Sequence, residues 1–411
     1  MISTARLTKQ LDDLSKITSP GQGITRLAFS DSDWQGRQYI INLMQTAGLS
    51  IRIDAFGNVI GHYAGKDENL PAIMFGSHGD SVPNGGNYDG IVGILAAIET
   101  IRSMKEDNFI PEHPLEVVLF MCEESSRFSA ATLGSRAMRG ELSLDDLNML
   151  HDKEGNTLFN VLKTRQLNPE NITNATYTKP LKAFLEVHIE QGKVLEHAHD
   201  KIGVVTGIAA PTRFICHLHG KADHSGATPM HLRHDGLCAA AEIILAVEEQ
   251  AREYKEAPVV GTVGIAEVQP GVMNVIPGEV HIGIDIRSIS SKAKKFVADQ
   301  IHYTIEDVAA RRGITFDIEE ISNETPAVMN PQLVRLLSDI CEHNHIKYQQ
   351  MPSGAGHDSM HWANYAPTGM IFIPCKDGIS HNPAETAAIE DIVTGTTILE
   401  KAVRKLASSI E

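Results

Sequence analysis

The sequence predicts an α/β protein of two domains: a larger one on a mixed, mostly parallel sheet, and a smaller α/β domain inserted into it. Three observations carry this. The chain has 411 residues, more than one hydrophobic core usually serves. Strand-like and helix-like segments alternate through its first half and again after Pro326. Between these stretches, from about Pro211, the order becomes strand-helix-strand-strand-helix-strand, a small split βαβ sandwich of the ferredoxin-like kind.

The elements follow in order. The first 16 residues carry charges at helical spacing and lack the apolar stretch of a signal peptide. Residues 31–49 read as an amphipathic helix stopped by Gly48, and 51–64 as a hairpin turning near Gly57-Asn58. PAIMFGSH (71–78), LEVVLFM (115–121) and AFLEVHI (183–189) are apolar runs of the buried-strand kind, with a helix at 90–104. RFICHLHG (213–220) alternates as a half-exposed strand. A helix at about 235–253, strands at 258–269 and 275–287, a helix at 291–311 and a strand at 314–321 complete the insert. A helix at 331–346, a strand at 369–374 and a helix at 388–406 close the chain. The parse is one domain of residues 1–210 and 326–411, interrupted by 211–325.

Composition narrows the function. The net charge of -16, with no Lys/Arg-rich run, repels phosphate backbones and anionic membranes, so neither nucleic acid nor membrane is an expected partner. No apolar stretch is long enough for a transmembrane helix. Cys122, Cys216, Cys238, Cys341 and Cys375 are scattered without a C-x-x-C, which points to a reducing, cytoplasmic setting and away from thiolate metal ligands.

In open α/β sheets chemistry gathers where strands end. Four strand ends here carry metal-ligand residue types. In GSHGDSVPNGGNYDG (76–90), His78 and Asp80 are two apart and face the same way on an extended chain, so Asp80 is expected to hold the His78 imidazole. The glycine-rich loop then delivers Asp89. In MCEESSRF (121–128), Glu123 and Glu124 sit side by side at the end of a buried strand, where unpaired charge is costly. One ligates, and its neighbour is placed to take a proton from water. FLEVHIEQG (184–192) offers His188, and GISHNPAE (378–385) offers His381. Alone, each segment also reads as a solvated loop or a packed side chain. Together His78, Asp89, Glu124, His188 and His381 are too many ligands for one tetrahedral zinc. They suit two divalent ions (zinc, manganese or cobalt) bridged by the short Asp89, with Glu123 as general base. Two such ions outweigh the two carboxylates, and the remaining positive charge favours a polarised carbonyl and an anionic substrate.

The segments GSHGDSVPNGGNYDG, EESSRF, LEVHIEQG, DHSGATPM, NVIPG, DIRS, SGAGHD and ISHNPAE, in this order, resemble the M20-type metallohydrolases. The branch resembled holds N-carbamoyl-L-amino acid hydrolases, allantoate amidohydrolases and β-ureidopropionases. The resemblance implies the same ligand set and base, and a lid domain that also forms a homodimer. His224 would reach the partner subunit's active site and stabilise an oxyanion. Asn274 and Arg287 would hold a substrate carboxylate, Gln191 would contact the ureido group and Gly356 would line the pocket. The planar fork of Arg287 suits a carboxylate on physical grounds also. Without the resemblance, His224 reads as a loop hydrogen bond and Arg287 as a surface ion pair. His357 and Asp358 are expected to cap the following helix. Two departures stand out: Gly79 replaces a larger apolar residue, and Cys122 stands where a third glutamate is common. The H-x-H of His217 and His219 reads as strand surface.

The expected activity is hydrolysis of a ureido (N-carbamoyl) C–N bond of a small carboxylate, an N-carbamoyl-L-amino acid first and allantoate second. An M20 aminoacylase or peptidase is the next alternative.

Overall fold

The computed structural model describes residues 1–408. Contacts divide the chain into two compact units: Met1–Thr206 together with the chain from Val328 onward, and Gly207–Ala327.

The first unit is a mixed sheet under helices. Its first six strands are β1 (Ser50–Ile53), β2 (Val59–Tyr63), β3 (Ala72–His78), β4 (Leu115–Phe120), β5 (Leu181–Ile189) and β6 (Ile202–Ile208). A late strand, Thr368–Ile373, inserts between β5 and β6, so the order runs β1-β2-β4-β3-β5, then the late strand, then β6. The centre is parallel: β4 with β3, β3 with β5, and β5 with the late strand. Both flanks are antiparallel. β3 and β4 are buried at every residue, as continuous apolar runs covered on both faces should be. Their approach requires Gly76, because a Cβ there would lie 1.9 Å from the Val118 carbonyl oxygen.

The expected helices form. Asp31–Ala47 starts at Ser30, whose side chain accepts the Asp33 N–H, and stops at Gly48 with φ 99°. Ile91–Glu106 is apolar nearly all round and packs within the main core with Leu95, Ile98 and Ile101. A helix at Thr4–Ser15 precedes them, and Ile389–Ser408 closes the unit. The short helices Leu133–Met138, Leu144–Met149 and Leu158–Thr164 carry no long periodic signal and were not expected. Neither were β6 and the strand Tyr348–Ser353.

The second unit is a four-stranded antiparallel sheet in the order Thr315–Asn323, Ala210–His219, Glu279–Ser288, Val259–Gln269. Helices Gly236–Glu253 and Ser291–Arg312 bury its inner face with Phe214, Leu218, Val280 and Ile284. In chain order this is 4-1-3-2 with a helix after strands one and three, the expected split βαβ arrangement. One expected strand breaks in two. Val275–Ile276 pairs with Asp223–His224, and the sheet strand begins only at Glu279. Pro277 lacks the N–H a ladder needs, and Gly278 is the turn behind it. Among the described residues, no helix is long and apolar enough to cross a membrane.

Candidate metal centre

β3 ends at His78, which is 2% exposed. Its ring is held through Nδ1 by the Asp80 backbone carbonyl at 3.1 Å. The Asp80 carboxylate also stands 3.7 Å from that ring nitrogen, within ion-pair reach of a protonated ring. The same carboxylate accepts the N–H groups of Glu123 and Glu124, both at 3.1 Å. These two N–H groups lie past the end of β4 and have no ladder partner, so a buried carboxylate satisfies them. Asp80 therefore fixes the Glu123-Glu124 turn. Gly79, just before it, is tightly packed: a Cβ there would meet Leu119 at 3.1 Å and Ile40 at 3.4 Å.

The loop after β3 delivers Asp89 and turns at Gly90, φ 67°, where a Cβ would lie 2.5 Å from the His78 ring. Asp89 Oδ1 is 3.2 Å from His78 Nε2 and 3.1 Å from His188 Nε2. Its Oδ2 is 3.5 Å from His381 Nε2, which is 3.2 Å from Glu124 Oε1. The structure thus brings the five expected donors into two groups, His78/Asp89/His188 and Asp89/Glu124/His381, sharing Asp89.

The electrostatics ask for a cation. Nδ1 of both His78 and His188 faces a backbone carbonyl, at 3.1 and 2.9 Å. A neutral ring so held presents an unprotonated Nε2 to the Asp89 carboxylate, lone pair against lone pair. A proton or a metal ion must lie between. Burial opposes charge on His78, but Glu123, Asp80 and Asp89 outweigh it and raise its pKa well above the usual value. Burial likewise opposes ionisation of Asp89, and His188, His381 and His78 outweigh it and hold that carboxyl well below the usual range. The spacing fits an ion. Two ligand atoms about 2.0–2.1 Å from a shared metal at a tetrahedral angle lie roughly 3.3 Å apart.

Glu123 points at the same cluster, with Oε2 3.9 Å from His78 Nε2. Burial pushes its carboxyl well above the usual range; His78 opposes this, and Glu124 and Asp358 add to it. Cys122 packs with Phe29, Phe56 and Phe128, and burial pushes its thiol up. Gln191 donates to Asp89 Oδ2 at 2.6 Å, while its Oε1 is buried without a partner. It touches the donor cluster itself.

Two residues that sequence reasoning gave no role complete the frame. Glu385 Oε1 accepts the N–H groups of Tyr88 and Asp89, at 2.9 and 3.1 Å. Its Oε2 accepts the Ser380 hydroxyl at 2.9 Å and the His381 N–H at 3.3 Å. Ser380 is also 2.9 Å from Asp89 Oδ2. Both residues lie inside ISHNPAE, so the signal was the motif's own polarity. His357 packs against the His188 ring, centroids 4.5 Å apart, and burial holds its pKa well below the usual value. Asp358 does not cap its helix with its side chain, contrary to expectation. It is fully buried and accepts the Ser135 hydroxyl. Gly356 lies in the turn between Tyr348–Ser353 and Ser359–Trp362.

The remaining expected residues belong to the second unit. His224 is exposed, and its Nδ1 accepts the N–H groups of Gly226 and Ala227, so a neutral ring carries its proton on Nε2. The Asn274 carbonyl accepts the Ser225 N–H, which ties the two motifs together. Arg287 is paired with Asp285, Nε–Oδ1 2.9 Å, and Arg213 binds the same carboxylate. His217 and His219 lie on the half-exposed sheet face, engaged by His281, Glu279 and Asp317.

The model of Peptidase family M20/M25/M40 matches residues 74–405, which contain all five donors. The chain belongs to this family. It is 39% identical, over 98% of both chains, to an N-carbamoyl-L-amino-acid amidohydrolase of a Pseudomonas species. It is also 39% identical to the ureidoglycolate hydrolase of Oryza sativa, over 97% of this chain and 84% of that protein. A crystallised amidase of the hydantoinase/carbamoylase family from Burkholderia multivorans superimposes with a TM-score of 0.92 at 33% identity, covering 99% of this chain and 98% of that one. The M20-type resemblance and fold class read from the sequence are thereby borne out.

Proposed function

We propose that this protein is a dinuclear metal-dependent amidohydrolase that cleaves the ureido C–N bond of a small carboxylate, an N-carbamoyl-L-amino acid. One water is consumed, and the amino acid, ammonia and carbon dioxide are released. The observation that carries the reading is the Asp89 carboxylate shared by two donor groups, with two buried imidazoles turned toward one of its oxygens.

His78, Asp89 and His188 would hold one ion, and Asp89, Glu124 and His381 the other. Zinc, manganese or cobalt suits these nitrogen and oxygen donors. When bound, the pair supplies Lewis-acid polarisation of the ureido carbonyl and acidifies water. Glu123 takes the proton of the attacking water and returns it to the leaving nitrogen. Asp80 holds the Glu123 backbone in place for this. Gln191, adjacent to Asp89, would orient the ureido group, and Gly356 would leave room beside it. Arg287 and Asn274 would take the substrate carboxylate, and His224 would stabilise the oxyanion in the partner subunit of a homodimer.

Allantoate is the closest competing substrate, since it also sets a carboxylate beside a ureido group, as does ureidoglycolate. A cytoplasmic setting is supported by the five cysteines, all free in the fold.

The deciding assay is ammonia release by manganese- or zinc-loaded protein. The panel is N-carbamoyl-L-amino acids, N-carbamoyl-β-alanine, allantoate and ureidoglycolate, with N-acetyl amino acids and dipeptides scored by free amine. We expect ammonia from a ureido substrate, lost in Glu123→Gln while metal stays bound. Free amine from the acyl or peptide substrates alone would move the protein to the aminoacylase or peptidase reading.

A further inference from the structure

The turn that presents Glu123 has a residue in an unfavourable conformation at each end. The chain leaves β4 through Cys122, φ 57°, and returns at Thr132, φ 55°. A left-handed φ is an outlier for a β-branched residue, and such geometry persists only where the surroundings over-determine it. The two ends are bonded together. The Thr132 N–H donates to the Glu123 carbonyl at 2.6 Å, and the Leu133 N–H to the Cys122 carbonyl at 2.9 Å.

Thr132 is also the N-cap of helix Leu133–Met138, where a threonine hydroxyl ordinarily accepts a helix N–H. Here its side chain caps nothing. The Thr132 hydroxyl meets His361 Nε2 at 2.8 Å instead. On the other side of that ring, Nδ1 is 2.8 Å from Glu141 Oε2. A carboxylate only accepts, so in the neutral imidazole Nδ1 carries the proton and Nε2 accepts from Thr132. Exposure rises outward along the series, with side chains 14% exposed at His361 and 44% at Glu141.

We propose that Thr132, His361 and Glu141 form a positioning relay for the base, in which the imidazole pins the strained turn that holds the Glu123 carbonyl. This inference rests on the reading of Glu123 as base. Hydroxyl, imidazole and carboxylate in this order make a nucleophilic triad in other enzymes. Thr132 is only 4% exposed, which leaves its hydroxyl no external substrate to attack. A second brace runs in parallel, because the Ser135 hydroxyl donates to Asp358. His361 and Asp358 belong to one short segment, whose His357 also packs on the donor ring of His188. That segment therefore supports the base and a metal donor together.

The test compares kcat, KM and bound metal for Thr132→Val, Thr132→Ser, His361→Gln, Glu141→Gln and Glu123→Gln. Thr132→Val is expected to lose about tenfold or more in kcat, with KM within about twofold and metal content unchanged, a scale typical of a mispositioned group. Thr132→Ser, which keeps the hydroxyl, is expected to recover most of that loss. Glu141→Gln changes a half-exposed side chain, so a smaller fall in kcat alone is expected even where a core variant is unstable. Unchanged kcat in Thr132→Val and Glu141→Gln, with Glu123→Gln inactive, overturns the relay and leaves the base assignment standing. Turnover by Glu123→Gln overturns the base, and the relay with it.

Discussion

Glu385 shows how the donor cluster is held by a side chain that belongs to neither donor group. Its two oxygens take four donors from two loops that lie far apart in sequence. Removing it leaves the N–H groups of Tyr88 and Asp89 without that acceptor and frees the His381 turn. Outer partners of this kind are commonly worth about 10–100-fold in metal affinity. Glu385→Ala is therefore expected to weaken metal binding by about that factor, read by chelator competition on the purified protein; unchanged affinity would remove Glu385 from the frame. At this scale the donors were legible because each is a residue of ligand type at the end of a strand or in the loop that follows one. The Asp80 role was only half legible. Periodicity shows which way a side chain faces, and cannot show that two N–H groups from another strand will claim its carboxylate. Thr132 and His361 were not legible at all, since their meeting depends on a turn with no sequence period.

Elements were read well where periodicity is long and poorly where it is short. The buried strands β3, β4 and β5 and the helix Ile91–Glu106 follow from mostly apolar runs. β6, with two glycines in seven residues, and Tyr348–Ser353, with three polar residues in six, offer no such run. The second unit's sheet adds a feature that only pairing reveals. His219 stands directly across from Glu279, and Asp317 lies beside it on the same face. The hydrogen bond to Glu279 leads in raising the His219 pKa, partial burial opposes it, and Asp317 assists. A histidine whose folded pKa exceeds its unfolded value of about 6.5 stabilises fully below that pH. The contribution fades as pH rises through the folded value. The urea midpoint of His219→Gln should thus fall below that of the unaltered protein at pH 5.5, and the gap should close by pH 9. A gap independent of pH would mean that packing alone is involved.

For the molecule as a whole, the donor cluster lies within the first unit, and His224, Asn274 and Arg287 lie in the second. If His224 completes the site of a partner subunit, two inactive variants can complement each other. Mixing Glu123→Gln with His224→Ala under conditions of subunit exchange is expected to restore part of the activity, because one hybrid site regains both groups. Absence of recovery despite demonstrated exchange would place His224 outside a shared site. The join between the units has its own consequence. The Met329 N–H donates to the Thr206 carbonyl at 3.0 Å, so the chain leaves the first unit and returns to it at neighbouring backbone positions. A tight turn of two to five residues spans such a gap. A shortened chain carrying that turn in place of residues 207–327 is expected to retain metal affinity, measurable by titration calorimetry, while losing turnover. By the same geometry, the insert enters and leaves the first unit at one splice point, and none of the five donors lies on the inserted residues.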